Sequence, residues 1–198
     1  LGKDIVVDSV DSRAVWLVQT RADGAFADER VRRAIYLALD RKEMITLLAL
    51  GEGKLSGAVP PAFGEANTAA EVEATWGKTD VAEAKRLLAA TTFDISKEYS
   101  IKYIVPGDTY QQFAQIVKSQ LEKNLGLKIK LIGEDFGKWL SQSLYGSDYD
   151  SFITYPTLEY DDPSSYIGGY AKTIGGRPNW AALVDIGLDC RPYCCSMC

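Results

Sequence analysis

Apolar positions along the chain recur with two periods, one of two residues and one between three and four, and the elements they predict interleave. "RAVWLVQT" (13–20) carries Val15, Trp16, Leu17 and Val18 in a short run of β-formers, and the turn "RADGAF" breaks it, which predicts a strand. In "DERVRRAIYLALDRKEMITLLAL", Val31, Ile35 and Leu39 make one helical stripe with Ala34 and Ala38 beside it. Asp28 is placed to cap that helix, with Arg30, Arg32, Arg33 and Arg41 expected on its exposed side. The helix should bend or restart near Asp40, and Gly51 should end the second part.

Residues 51–70, "GEGKLSGAVPPAFGEANTAA", predict a long loop punctuated by Gly and Pro. "TDVAEAKRLLAAT" opens a helix with Asp80 at the cap and Glu83 three residues later, in capping-box order. "YSIKYIVP" (99–106) alternates as a strand and stops at Pro106. The helix after it starts at Asp108 and Gln111, turns Phe113, Ile116, Val117 and Leu121 inward, and ends at Gly126. "LKIKLIG" (127–133) alternates with Leu127, Ile129 and Leu131 on one face. "DFGKWLSQSLYGSD" predicts a helix with Phe136, Trp139, Leu140 and Leu144 inward, and "YDSFITYP" (149–156) a further strand.

This order of strands and helices predicts an α/β layer architecture with crossovers between neighbouring strands. Ligands of open α/β sheets sit beyond the carboxyl ends of the strands. Residues 155–166, "YPTLEYDDPSSY", lie at such an end and crowd Glu159, Asp161 and Asp162 among Tyr155, Tyr160 and Tyr166. Such a stretch either faces a positive group or is a solvated acidic loop. Asp162 before Pro163 also reads as the cap of a short helix.

Composition narrows the choice. With 198 residues, 46% of them hydrophobic, the chain can bury one sizeable core. A net charge of −5 repels phosphate backbones and anionic lipid, so nucleic acid is not expected as a partner, whereas a basic or zwitterionic small molecule suits it. No apolar run approaches the roughly 18 residues of a membrane span. Histidine is absent and no Cys precedes Cys190, which excludes imidazole-dependent nucleophilic sites and removes the commonest metal ligand. No cofactor or metal is expected. The opening "LGKDIVVDSVD" has no starting Met and no signal-peptide regions, consistent with a removed signal or an internal piece.

Four segments carry a family likeness. "AFADERVRRAIYLALDRKEMI" resembles the "PF.D.RVR.A...A.DR" helix of solute-binding proteins of the peptide and nickel uptake type, which serve ABC transporters. "TDVAEAKRLLAAT", "DTYQQFAQIVKSQLEKNLGLKIKLIGEDFGKWL" and "YDSFITYPTLEYDDPSSYIGGY" are similar, in order, to three later segments of that family. The resemblance runs from about residue 13 to 185 and implies a periplasmic-binding-protein-like α/β lobe, a mixed β-sheet flanked by helices. It further implies residues 1–24 as a hinge-side strand segment of a first lobe, residues 25–185 as the second ligand-binding lobe, and residues 186–198 as an aberrant Cys-rich tail.

The resemblance implies a monomeric extracytoplasmic protein that binds a small peptide or similar solute and delivers it to ABC permease subunits. In peptide-binding members an acidic residue of "D-Y-x-D-P" holds the ligand's α-ammonium, and Glu159 takes that position here, with a longer side chain. Tyr155, Tyr160, Asp161 and Trp180 are the accompanying candidate contacts. Two other readings stay beside this one. The acids of 159–162 could serve a carboxylate-dependent glycoside hydrolase, although they are bunched for two groups flanking a bond. A lone lobe could also hold no ligand tightly.

Other signals read as structure. "GEGKLSGAVPP" lacks the G-x-x-x-x-G-K-[ST] order of a phosphate loop. Asp135 reads as a helix cap rather than half of an acid pair with Glu134. Trp16, Trp76, Trp139 and Trp180 sit among apolar neighbours and are expected in core or rim. The tail "LDCRPYCCSMC" is too short to close a zinc finger and departs from the family pattern at Ile186.

Overall fold

The computed structural model describes residues 16–155, apart from 22, 52, 58 and 76. Glu159, Tyr160, Asp161, Trp180, Trp76 and the Cys-rich tail therefore lie outside the described residues. A four-stranded mixed sheet, ordered β1-β4-β2-β3, consists of β1 (Leu17–Thr20), β2 (Glu98–Val105), β3 (Lys128–Asp135) and β4 (Ser151–Thr154). β2 runs parallel to β3 and to β4, and β1 runs antiparallel to β4 with Leu17 opposite Thr154.

Parallel neighbours need long crossovers, and right-handed ones dictate where the connections lie. The chain steps from β2 to β3 through α5 (Asp108–Leu125), then back past β2 to β4 through residues 136–150. Opposite directions of travel place the two connections on opposite faces. On one face, Tyr99, Ile101 and Tyr103 of β2, Ile129 of β3 and Ile153 of β4 join the main core with residues of α1 (Glu29–Ala38), α4 (Val81–Ala89) and α5. Phe152, of opposite parity, meets Trp139 edge-on at 5.6 Å on the other face.

Asp caps set the helix starts. Asp28 accepts a hydrogen bond from the Arg30 N–H, Asp40 from those of Lys42 and Glu43 at the start of α2 (Arg41–Ala49), Asp80 from Glu83, and Asp135 from Lys138. Each satisfies donors that the first helical turn leaves unpaired. The capping box at Asp80 is half formed, because the Asp80 N–H donates to the Leu37 carbonyl and Glu83 pairs with Arg86 instead. A reciprocal box forms at Thr68 and Glu71, opening α3 (Ala69–Thr75) at the end of the expected loop. Gly126, at φ 70°, ends α5 as expected.

Three expectations are corrected. Arg41 is not on the exposed side: its guanidinium lies 3.9 Å from the Tyr36 ring centroid and donates to the carbonyls of Tyr36, Leu39 and Lys78, tying the break between α1 and α2. Arg32 is likewise partly buried, donating to the Phe26 and Ala27 carbonyls. Residues 136–144 are not one α-helix but the short α6 (Phe136–Trp139) followed by a π-helical turn (Leu140–Leu144), and Phe136 is 58% exposed. The wider turn brings Ser143 fully inside, where its hydroxyl reaches Glu134 at 3.4 Å.

Glu134 is buried by an ion pair. Lys102 Nζ lies 3.1 Å from Glu134 Oε1 and 3.2 Å from Asp148 Oδ2, and Lys138 Nζ lies 3.4 Å from Glu134. A buried carboxylate persists only when charge and hydrogen bonds replace its water, and Lys102, Lys138 and Ser143 do so. At the amino ends of β2 and β4 the same polar chemistry continues. The Asp150 carboxylate accepts from the Ser100 N–H and hydroxyl at 2.8 and 2.9 Å, and Arg21 donates to the Ser147 and Asp150 carbonyls.

Candidate functional site

The carboxyl ends of β2, β3 and β4 share one rim, and β1 begins there because it runs the opposite way. That geometry places Trp16, just before β1, beside Tyr155, just after β4, with ring centroids 4.8 Å apart. The chain leaves Tyr155 directly into the acidic stretch that the sequence singles out.

α5 supplies the rest of the cluster. It starts two residues beyond β2, so its first turns stand over the rim, and the spacing of Tyr110 and Phe113 puts both on its inner side. Trp16 meets Tyr110 edge-on at 4.9 Å and Phe113 at 5.1 Å. Phe113 is buried, whereas Trp16, Tyr110 and Tyr155 are half-buried. Burial, and to a lesser extent the neighbouring Tyr155, push the Tyr110 phenol above its ordinary pKa, so it stays neutral and available as a hydrogen-bond donor.

Of the five contacts expected from the sequence, the structure describes Tyr155 alone and places it in this cluster. Tyr110 escaped the sequence reading. Its signal was present in the i, i+3 spacing to Phe113 at the start of a helix that follows a strand end. Trp16 was expected in core or rim, and it occupies the rim. Glu134 and Asp135 play structural parts, one in the buried ion pair and the other capping α6. Among the described residues, no group of three or more His, Cys, Asp or Glu could hold a metal, and no helix is long and apolar enough to cross a membrane.

A concavity of about 470 Å³, widely open, lies on the outer flank of α5 against α2. Leu47, Ile116, Asp108 and three glutamines line it, and it contains none of the expected contacts. The rim is the better candidate because it gathers side chains from three elements where α/β sheets bind ligands.

The sequence profile of bacterial extracellular solute-binding proteins, family 5 (middle region), matches residues 2–176. The chain belongs to that family. Membership puts this family 5 protein among binding proteins rather than enzymes, and it gives the glycoside hydrolase reading no support. Among characterised relatives, the chain is 26% identical over 145 residues to the periplasmic oligopeptide-binding protein OppA of Escherichia coli (strain K12). It is 26% identical over 166 residues to the periplasmic murein peptide-binding protein MppA of the same organism. These matches cover 72% and 78% of the chain but only 26% and 29% of the relatives, so it spans under a third of their length.

The fold agrees. The substrate-binding protein CtaP of Listeria monocytogenes superposes with a TM-score of 0.67 at 20% identity, covering 81% of this chain and 33% of that one. The mixed sheet with helices on both faces is thus a periplasmic-binding-protein-like α/β lobe, as expected.

Proposed function

We propose that this chain is the second ligand-binding lobe of an extracytoplasmic, monomeric peptide receptor that delivers its ligand to the permease subunits of an ABC importer. The observation that carries the reading is the aromatic rim at the strand ends, from which the chain runs straight into the acidic stretch. The peptide-binding names of OppA and MppA support the ligand class. Residues 1–24 belong to the hinge side of a first lobe, residues 25–185 to the second lobe, and residues 186–198 to neither.

Mechanistically, Glu159 accepts hydrogen bonds from the ligand's α-ammonium, with Tyr155, Tyr160, Asp161 and Trp180 around it. A charge-assisted hydrogen bond away from bulk water is worth about 1.5–3 kcal/mol, and aromatic faces cover the rest of the ligand. No bond is broken. Ligand bridging two lobes stabilises the closed arrangement because it contacts both only there.

Calorimetric titration with tripeptides tests this. Acetylating the amino terminus removes the charge and should weaken binding by about ten-fold or more. Glu159→Gln should bind the free peptide as weakly as the wild type binds the acetylated one. Equal affinity for free and acetylated peptides would retire the ammonium role of Glu159.

A further inference from the structure

We propose that Trp16, Tyr110 and Tyr155 form a subsite for a flat, uncharged side chain of the ligand, aromatic or proline; this rests on the peptide-binding reading above. The three residues come from three separate elements: the residue before β1, the first turn of α5, and the residue after β4. Trp16 is the hub, 4.8 Å from Tyr155 and 4.9 Å from Tyr110, while Phe113 lies 5.1 Å away as a buried floor.

Three of these rings are held by structure that does not depend on ligand. Trp16 and Tyr110 pack against the main core, and Phe113 lies within it. An aromatic surface held by its support loses little freedom on binding, so contact with a further ring is gained at small entropic cost.

Polarity decides which side chain suits it. Three rings meet Trp16, at interplanar angles of 72°, 37° and 36°. Asp108, the acid closest to Tyr110 along the chain, is exposed and lines the groove on the outer flank of α5. Asp135 is committed to capping Lys138. A cationic side chain entering the cluster would lose water without meeting Asp108 or Asp135, whereas an apolar ring gains by leaving water. The neutral phenol of Tyr110 adds a donor suited to a peptide carbonyl.

The test is an NMR titration of the 198-residue chain, reading the tryptophan indole N–H signals, with Trp16 assigned by its loss in Trp16→Phe. Such signals report weak binding at millimolar ligand. The buried Trp139, on the opposite face of the sheet, serves as an internal reference. The probes are Ala-Ala-Ala and the tripeptides that carry Phe, Pro or Arg at each position in turn.

The expected result is that Trp16 shifts and Trp139 does not. At one position, Phe or Pro should bind about ten-fold more tightly than Ala, near the upper end of what an aromatic contact contributes. Tyr110→Ala should lose that preference, while Tyr110→Phe should keep it. Equal affinities for Phe, Pro and Ala, tightest binding by an Arg peptide, or shifts that spare Trp16 would each overturn the subsite and leave peptide binding standing. No shift of any signal with any peptide would overturn the peptide reading itself. The wild-type comparison decides the matter even if Tyr110→Ala fails to fold.

Discussion

The two ends of the sheet are built from different forces. At the amino ends of β2 and β4, directional polar contacts predominate: Asp150 to Ser100, Arg21 to the carbonyls of Ser147 and Asp150, and Lys102 to Asp148. At the carboxyl ends, on the face that α5 covers, Trp16, Tyr110, Phe113 and Tyr155 meet through ring faces and edges. Hydrogen bonds and ion pairs fix one geometry, since each is lost over a fraction of an ångström, whereas ring contacts leave apolar faces and edges that a further ring can join. One end can therefore anchor the strands while the other stays available to a ligand.

Substitutions that load one end and spare the other test this division. The largest effect is expected from Lys102→Met, in the middle of the sheet. It leaves Glu134, 1% exposed, with only the longer contacts to Lys138 and Ser143, and should destabilise by about 3 kcal/mol in urea unfolding. Adding Glu134→Leu removes the stranded charge and should recover most of the loss.

At the anchored end, Asp150→Ala deletes both bonds to Ser100 and should cost about 1–2 kcal/mol while leaving peptide affinity unchanged. At the rim the pattern should invert. Tyr155→Ala should cost only about 1 kcal/mol in stability, the scale of an aromatic contact such as the one with Trp16, yet lower peptide affinity several-fold.

The smallest effect concerns pH. The Arg21 hydrogen bond holds the Asp23 carboxyl below the usual range, on a largely exposed side chain. A folded pKa lowered in this way contributes stability above the ordinary carboxylate range, and the contribution is lost as pH falls through the lowered value. Thermal unfolding should therefore show a slight fall in stability as pH drops into the acid range, and Asp23→Asn should abolish that fall by lacking the contribution already near neutrality.

Period and punctuation carried most of the architecture. The two-residue alternation of 99–105 and 127–133 marks which side chains face the helices, and Asp28, Asp80 and Asp135 announced their helix starts before the caps were seen. What stayed hidden depended on contacts between distant segments. Alternation says that Lys102 and Glu134 share the face away from the main core, but not that their strands are neighbours in a register that lets the charges meet. Arg41 read as exposed because a helical stripe carries no sign of a guanidinium folding back over Tyr36 onto carbonyls from two segments. The rim was half legible: Tyr155 follows from the strand end, while Tyr110 joins it only once α5 is packed over the sheet.

Native mass spectrometry of the protein, purified gently from its own cells, tests peptide binding at this rim most directly. The expected spectrum carries a ladder of bound masses separated by amino-acid residues, which Glu159→Ala should empty. A single sugar-like mass, or a peptide ladder undisturbed by Glu159→Ala, would contradict it.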